Sequence, residues 1–356
     1  MQYFDKSIHI INGHGIGDVI MMLPLIRSLL KHSPHTVSFT LKSKTEAEVL
    51  ELFFPDHELS FIFLEEIYKS FRPLALIKYA LQLRRLKLDV VLTAFATNPM
   101  QASIVSFLSG AQVRIGWKNI LDWLNTNTLS PIPGQHKVHK HLRLISDKLI
   151  TTKFISRNSF VPDRNHSETI LNILIQNGFD PKINTLIALT PGSGELEAHK
   201  RWPASNYKAL TEMFINFPQV RFIILGSFRE LSISEKILTN NKNAQNILNF
   251  VGSYSITDTA YLLYHCHVTV GNCNGLAHLA SAVGIPVLGL YGPTNYHLTG
   301  PFSQDFKALS LHLNCSPCYR KDFMQGCGDP ICLSELPVRL VYEALLHTIE
   351  HLPTPL

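Results

Sequence analysis

The chain has 356 residues, of which 46% are hydrophobic and 17% are charged, a composition that excludes both a disordered chain and a small disulfide-stapled scaffold. Its length indicates about two domains. The longest apolar stretch, residues 19–30, is interrupted by Pro24 and Arg27, so we expect no membrane-spanning segment. The N-terminus lacks the pattern of a signal peptide, which predicts a cytoplasmic protein.

The positive charge is unevenly distributed. The net charge is +5, and residues 1–150 carry all of it, with 17 Lys or Arg against 12 Asp or Glu. This asymmetry favours an anionic ligand or an acidic lipid surface on the first half, and ordinary surface lysines are the plainer alternative. Nucleic acid is not an expected partner, because no basic run is interleaved with aromatic residues.

Short apolar runs, each followed by a helical pattern, recur in chain order at residues 8–11, 37–41, 90–92, 186–190, 221–225, 268–270 and 287–290. This alternation predicts an α/β fold of two doubly wound domains with parallel sheets. Residues 151–168 read as a linker and 169–178 as a helix closed by glycine. The predicted domains are 1–165 and 166–335, with a C-terminal helix in 336–356 that packs back on the N-terminal domain.

The first apolar run leads into a glycine-rich turn with Gly13, Gly15 and Gly17, and Asp18 follows. Glycines at such a turn allow a ligand to approach the backbone. Asp18 stands where a dinucleotide-binding turn has its third glycine, and no acidic residue follows about 20 positions later, which disfavours a nicotinamide enzyme. Asp18 is either the N-cap of the next helix or a general base that takes a proton from a hydroxyl group.

A second turn, at Thr190, Gly192 and Ser193, follows the first apolar run of the second domain, and Lys200 lies shortly after it. Backbone amides, a hydroxyl and a lysine are the parts of a diphosphate site. The alternative is a surface loop in which Pro203 opens a helix.

Residues 268–280 read as a buried strand, a tight turn and the start of a helix. Amide groups near Asn274, Gly275 and Leu276 predict an anion site at the helix N-terminus. His278, one turn into the helix, is either a ligand or a packing residue. Residues 290–294 close the following strand with a Gly-Pro turn at the edge where α/β sheets bind ligands.

Four segments taken together, residues 15–18 with Pro24, 191–203, 272–280 and 290–294, resemble the bacterial ADP-heptose:lipopolysaccharide heptosyltransferases of glycosyltransferase family 9. The resemblance extends over essentially the whole chain. It implies a GT-B fold, with two Rossmann-like domains facing a cleft. The N-terminal domain would bind the acceptor and the C-terminal domain the sugar nucleotide.

The resemblance also implies an inverting transfer from an ADP-sugar to an anionic lipopolysaccharide core, with no required cofactor, at the cytoplasmic surface of the inner membrane. Asp18 matches the catalytic base and Lys200 the donor-phosphate lysine, while Gly15 and Gly17 belong to the acceptor-side loop. Together with the turns above, the predicted donor-binding residues are Thr190, Gly192, Ser193, Lys200, Glu230, Asn272, Cys273, Asn274, Gly275, Leu276 and His278.

One position departs from the family. Cys273 stands where relatives usually have aspartate, so the identity of the sugar, or activity itself, is open. Glu230 follows a glycine turn and either contacts a ribose or sugar hydroxyl or is a solvated acid at a helix start.

The spacing Cys315, Cys318, Cys327 and Cys332 suits a tetrahedral zinc site. Reduced structural thiols, an iron–sulfur centre and a redox pair are the alternatives.

Two other functions compete with sugar transfer. A GT-B sugar-nucleotide 2-epimerase would need further acid and base carboxylates, which the sequence does not show. A non-catalytic sugar-nucleotide-binding protein would follow if Cys273 has abolished activity.

Overall fold

The computed structural model describes residues 5–31, 35–67, 72–95, 97–145, 160–194, 196–318 and 327–352. The chain divides into two units, Met1–Lys153 and Phe154–Leu356. In the described part of the chain, no helix combines the length and the apolar character that crossing a bilayer requires.

The first unit is built around one parallel sheet. Its strands are β1 (Ser7–Ile11), β2 (Thr36–Leu41), β3 (Leu59–Phe63), β4 (Val90–Thr93), β5 (Val113–Trp117) and β6 (Asn127–Leu129). Its helices are α1 (Ile16–Lys31), α2 (Lys44–Phe53), α3 (Leu64–Ile67), α4 (Arg72–Arg85), α5 (Pro99–Ser109) and α6 (Lys137–Leu142). The strand order is β3-β2-β1-β4-β5-β6, and β1 and β4 are almost wholly buried, as expected for central strands covered on both faces.

The second unit repeats this plan. Its strands are β7 (Thr185–Thr190), β8 (Val220–Ile224), β9 (Ile247–Asn249), β10 (Val268–Asn272), β11 (Val287–Leu290) and β12 (Phe306–Leu309). Its helices are α7 (Arg164–Gln176), α8 (Ala204–Glu212), α9 (Leu231–Leu238), α10 (Ile256–Tyr264), α11 (Gly275–Ala282), α12 (Tyr296–Thr299), α13 (Ile331–Ser334) and α14 (Val338–Glu350). The parallel order is β12-β11-β10-β7-β8-β9.

The predicted linker overlaps helix α7. The helix begins at Arg164 because Asp163 caps it, accepting a hydrogen bond from the His166 amide at 2.8 Å. The Asp163 amide in turn donates to the Tyr261 hydroxyl of α10 at 2.9 Å. These contacts attach the start of α7 to the second unit, so the division of the chain lies before this helix and not near residue 165. Residues 151–159 lie outside the described part of the chain.

Helix α14 buries Val341, Ala344 and Leu345 in the core of the second unit, together with Phe214 and Phe222. The ring of Tyr342 also contacts the Phe214 ring, with centroids 4.9 Å apart. The apolar stripe of this helix therefore has its partners within its own unit. Packing of the helix on the N-terminal domain stays a prediction.

Candidate functional site

The glycine-rich turn lies at the point where the strand order of the first sheet reverses. Strand β1 is flanked by β2 on one side and by β4 on the other, so the segments after β1 and β4 meet at the carboxyl edge of the sheet, where α/β proteins bind ligands. The Gly13 amide donates to the Thr97 hydroxyl at 3.2 Å, and that hydroxyl donates to the Ile11 carbonyl at 3.4 Å. These bonds attach the turn to the segment after β4.

Asp18 is the third residue of α1, and its amide donates to the Gly15 carbonyl at 3.0 Å. It is therefore inside the first turn, and the alternative of an N-cap is wrong. Its carboxylate Oδ1 forms an ion pair with Lys137 Nζ, and both side chains are largely buried. Lys137 is the first residue of α6, a helix that packs against α1, so the packing of two helices holds the pair together.

The surroundings of Asp18 favour its ionised form. Burial acts to raise the pKa of Asp18, but Lys137 and then His14 outweigh it and hold that pKa below its usual value. His141 is buried, and desolvation lowers its own pKa to about 3, so this imidazole is neutral at pH 7. An ionised carboxylate on a glycine-rich turn can accept a proton from a bound hydroxyl group.

These basic partners of Asp18 were not predicted from the sequence. Lys137, His139, Lys140 and His141 fall in one run of alternating lysine and histidine, which was visible only as part of the excess charge of the first half. Nothing in the sequence links that run to Asp18, since Lys137 lies 119 positions after it.

The predicted acceptor-side glycines border a second carboxylate. Gly15 precedes α1 and Gly17 lies in its first turn. A Cβ atom at Gly15 would lie 3.7 Å from Glu46 Oε1. Glu46 is buried in the first turn of α2, where its carboxylate accepts a hydrogen bond from the Ser43 amide at 2.8 Å. Burial raises the pKa of Glu46.

In the sheet of the second unit, the strand order reverses in the same way between β7 and β10. The register pairs Thr190, at the end of β7, with Gly271 of β10. A Cβ atom at Gly271 would overlap Thr190 Oγ1 at 1.8 Å, so glycine is required for this close approach. Thr190 itself is fully buried. The turn after β7 and the turn after β10 therefore lie side by side.

Two asparagines join these turns. Asn272 Nδ2 donates to the Pro191 carbonyl at 2.6 Å, and Asn274 Nδ2 donates to the carbonyls of Thr190 and Gly192, each at 2.9 Å. Asn272 Oδ1 also accepts from the Trp202 amide at 2.9 Å. The side chains of Asn272 and Asn274, both predicted to bind the sugar nucleotide, thus hold the two turns together. In our interpretation, the backbone of these residues faces the ligand.

Asn274 is the N-cap of α11, and its Oδ1 accepts from the Ala277 amide at 2.9 Å. Because helices leave the amides of their first turn without intrahelical acceptors, the amides of Gly275 and Leu276 are the groups available to an anion. His278 is buried within this helix, which accords with a packing role as much as with a ligand role.

Lys200 is buried and does not lie on the surface. Its Nζ forms an ion pair with Glu197 Oε1 at 2.6 Å. The loop around the pair is held by Ser193, whose hydroxyl donates to the Glu197 carbonyl and accepts from Arg201 Nε, both at 2.8 Å. Helix α8 begins after Pro203, which is its N-cap residue and not its first residue. The alternative of a plain surface loop therefore fails for Lys200.

Glu230 reaches the turn after β7. A Cβ atom at Gly192 would lie 2.6 Å from Glu230 Cγ, so the two residues are in close contact. The Glu230 carboxylate also accepts from the amide and hydroxyl of Ser227, at 2.8 and 2.6 Å. Glu230 is therefore both a local cap and a neighbour of the predicted diphosphate turn.

Cys273 has a partner that the predicted site did not include. Burial, and then the Cys273 thiol, raise the pKa of Tyr291 well above its usual value. Tyr291, directly after β11, is fully buried. The Thr294 hydroxyl, in the same turn, is buried as well. Tyr291 belonged to a motif noted in the sequence, but its contact with Cys273 depends on the pairing of β10 with β11.

The four C-terminal cysteines are free thiols. Burial, and then the thiols of Cys318, Cys327 and Cys315, raise the pKa of Cys332 to about 11. Mutual proximity of this kind favours protonated thiols when no cation is present. Within the described ranges, no three His, Cys, Asp or Glu side chains are arranged to hold a metal ion. Zinc at these cysteines stays a prediction.

Comparison with known proteins identifies the family. The sequence model of glycosyltransferase family 9 (heptosyltransferase) matches residues 76–327. Lipopolysaccharide heptosyltransferase 2 of Salmonella typhimurium is 24% identical over 259 residues, which are 71% of this chain and 73% of that protein. The structure of E. coli ADP-heptose lipopolysaccharide heptosyltransferase II superposes with a TM-score of 0.74 and 20% identity, over 97% of this chain and 98% of that one.

A structure of E. coli heptosyltransferase WaaC with ADP has a TM-score of 0.68 and 15% identity, and the match covers 96% of this chain and 99% of that one. The expected fold, an α/β GT-B fold with two parallel sheets, is confirmed. The family match extends over more than two thirds of the sequence. The chain therefore belongs to glycosyltransferase family 9, the heptosyltransferase family, and is a glycosyltransferase.

Proposed function

We propose that this protein transfers a heptose from ADP-heptose to a sugar hydroxyl of a lipopolysaccharide core, with inversion at the anomeric carbon. The names of the relatives support the substrate class, because they include lipopolysaccharide heptosyltransferases and a heptosyltransferase that binds ADP. The observation that carries the proposal is the buried pair of Asp18 and Lys137, which keeps a carboxylate ionised on the glycine-rich turn.

The second unit supplies the donor site in this proposal. The amides of Gly275 and Leu276 bind the diphosphate at the positive end of α11. Lys200 is the cation that offsets the negative charge developing on the diphosphate as it departs. Glu230, beside Gly192, is placed to accept a hydrogen bond from a ribose or sugar hydroxyl.

The first unit supplies the base. Asp18 takes the proton from the acceptor hydroxyl while that oxygen forms a bond to the anomeric carbon. The bond from the anomeric carbon to the diphosphate oxygen breaks in the same displacement, and ADP carries away the electron pair. A single displacement inverts the configuration at the anomeric carbon. The positive surroundings of Asp18 also suit an anionic acceptor.

The test is incubation of the full chain with ADP-heptose and extracted core lipids, followed by mass spectrometry of the lipids and measurement of released ADP. We expect one added heptose per acceptor. In parallel, Asp18→Asn should lower turnover by about 10²–10⁴-fold, while calorimetry shows unchanged binding of ADP. Unchanged turnover would remove Asp18 from the mechanism.

Two results would replace the proposal. Isomerisation of the sugar nucleotide without any acceptor would indicate an epimerase. Tight binding of ADP with no transfer to any core lipid would indicate a binding protein, the alternative that Cys273 in place of aspartate leaves open.

A further inference from the structure

Phe228 exposes its ring to solvent at the edge of the sheet where the predicted donor residues lie. It belongs to the segment between β8, which ends at Ile224, and α9, and its side chain is 67% exposed. A single exposed apolar residue is ordinary on a protein surface. The surroundings of this ring are not ordinary, because Glu230, two residues later, is in close contact with Gly192 of the turn after β7. Phe228 therefore lies beside the proposed donor site.

The backbone of Phe228 is held in place by its neighbours. The Glu230 carboxylate accepts hydrogen bonds from the amide and the hydroxyl of Ser227. A Cβ atom at Gly252 would lie 3.0 Å from Phe228 Cα, and Gly252 has a φ of +74°, so glycine is needed for this close approach. The Arg229 guanidinium lies 5.8 Å from the centre of the ring, and two thirds of the Phe228 side chain is still exposed. A fixed segment thus offers an aromatic ring to a flat ligand.

The segments after β8 and β9 lie side by side. The Phe250 amide donates to the Ile224 carbonyl at 3.0 Å, and the Gly252 amide donates to the Gly226 carbonyl at 2.9 Å. These bonds continue the parallel pairing of the two strands beyond their ends. Phe228 therefore lies where the carboxyl ends of β8 and β9 meet.

The strand order fixes the direction in which a bound sugar nucleotide extends. Neighbouring strands along this part of the sheet are β10, β7, β8 and β9. In the proposed function the diphosphate binds the amides of Gly275 and Leu276, after β10, near the turn of Gly192, after β7. Glu230, after β8, is then the contact of the ribose. Because the ribose joins the diphosphate to the base, the base extends past Glu230 towards β9, where Phe228 lies.

We propose that the Phe228 ring stacks on the base of the bound sugar nucleotide and that this contact favours a purine. The inference rests on the proposed function, in which the second unit binds the donor. Stacking on an aromatic side chain stabilises any bound base, because every base has a flat π-face. A purine has two fused rings and covers more of the phenylalanine ring than a pyrimidine does, so it buries more apolar area. Phe228 is thus a specificity-determining residue.

The test is calorimetry of the full chain with ADP, UDP and inorganic pyrophosphate. We expect Phe228→Ala to weaken ADP binding by about tenfold or more and UDP binding by a smaller factor. Binding of pyrophosphate should not change, because pyrophosphate has no base. The KM for ADP-heptose should rise by a similar factor to the Kd for ADP, with kcat unchanged.

Two further variants complete the test. Phe228→Tyr keeps the ring and should bind ADP as the wild type does. Ile183→Ala is the matched control, because Ile183 is also 67% exposed but lies before β7, at the opposite edge of the sheet. Alanine at position 228 keeps the Cβ atom beside Gly252, so we expect the segment to keep its packing.

Several outcomes overturn the proposal. Equal ADP affinity of Phe228→Ala and the wild type would show that the ring does not contact the base. Equal losses for ADP and pyrophosphate would show that the variant disturbs the diphosphate turn, which is a structural role, and equal losses for ADP and UDP would remove the preference for a purine. Phe228-dependent binding of ADP without heptose transfer would contradict the proposed function alone. Heptose transfer by Phe228→Ala with an unchanged KM for ADP-heptose would contradict the stacking alone.

Discussion

Asp18 is useful as a base only while it is ionised, and Lys137 is the residue that most favours this state. The ammonium lies in a buried ion pair with the Asp18 carboxylate and is the strongest influence lowering its pKa. In the proposed mechanism Lys137 contacts Asp18 and takes no part in the bonds that form or break, so we regard it as a positioning residue. An anionic acceptor that drew the ammonium away would make Asp18 more basic at the moment of transfer.

We predict that Lys137→Met raises the pKa of Asp18, because burial then acts against the charged form with weaker opposition. The base must be unprotonated in the free enzyme, so the acid limb of the kcat/KM profile should move to higher pH. Activity should fall more at pH 5 than at pH 8. The measurement is the pH dependence of kcat/KM, and Lys137→Arg should restore the wild-type limb. A uniform loss at all pH values would indicate a merely structural role.

Lys200 and Glu197 form the corresponding pair in the second unit, with 2.6 Å between Nζ and Oε1. We expect Lys200→Ala to lower turnover by about 10²-fold or more, as removal of one stabilising group does in other enzymes. The measurement is the rate of ADP release at saturating donor. Lys182→Ala, at an exposed lysine of the same unit, is the control. If Lys200→Ala changed only the yield of protein, Lys200 would have no part in the chemistry.

At the scale of elements, the end of β7 depends on the helix that follows β10. Asn274 caps α11 and also donates to two carbonyls of the turn after β7. We predict that Asn274→Ala lowers the free energy of unfolding of the second unit by roughly 2 kcal/mol, from the lost cap and the lost side-chain bonds, and weakens ADP binding. Urea unfolding followed by the fluorescence of Trp202 measures the first effect and calorimetry the second.

Asn295→Ala is the matched control for this element. Asn295 caps α12, accepting from the His297 amide at 3.0 Å, and is not a predicted donor residue. We expect a smaller loss of stability and unchanged ADP affinity. Equal effects of the two variants on ADP binding would show that the cap of α11 has no special relation to the donor.

The strands that the sequence predicted are those at the centre of each sheet. All seven apolar runs coincide with strands, six of them to within one residue at each end, and the run 268–270 ends two residues before β10 does. The strands that it missed are β3, β5, β6, β9 and β12, and four of these are edges of their sheets in the observed order. Edge strands face solvent on one side, so their sequences lack the continuous apolar run of central strands. Strand β5 was missed because Arg114 and Gly116 interrupt its pattern.

The residues of the candidate site also fall into those that the sequence predicted and those that only the structure revealed. Asp18, Thr190 and Asn274 were found because each lies at the end of, or after, a strand that the sequence reveals. Lys137 was missed because its contact with Asp18 arises from the packing of α6 on α1, and Tyr291 was noted without its contact to Cys273. Local pattern identifies the ends of central strands, whereas the partners that tune the chemistry come from tertiary packing.

At the scale of the whole molecule, the first unit carries two buried histidines with strongly lowered pKa values. Desolvation lowers the pKa of His9 and of His141 to about 3. His9 is a fully buried residue of β1. Its Nδ1 lies 2.7 Å from the Ser38 hydroxyl and its Nε2 lies 2.8 Å from the Thr40 hydroxyl, both on β2. Both imidazoles are neutral in the folded chain at pH 5, whereas the unfolded chain binds protons below pH 6.5.

The sign of the pH dependence follows from these values. Between pH 6.5 and about 3 the unfolded state binds more protons than the folded state, so each histidine lowers the stability by about 1.4 kcal/mol per pH unit as the pH falls. We therefore predict that His9→Gln is less stable than the wild type at pH 7.5 but loses less stability on acidification. Urea unfolding followed by tryptophan fluorescence, to which Trp117 and Trp123 of the first unit contribute, measures both. His35→Gln is the control, because His35 is exposed, and it should follow the wild-type dependence. If His9→Gln also followed it, His9 would not be the group that is held neutral in the folded chain.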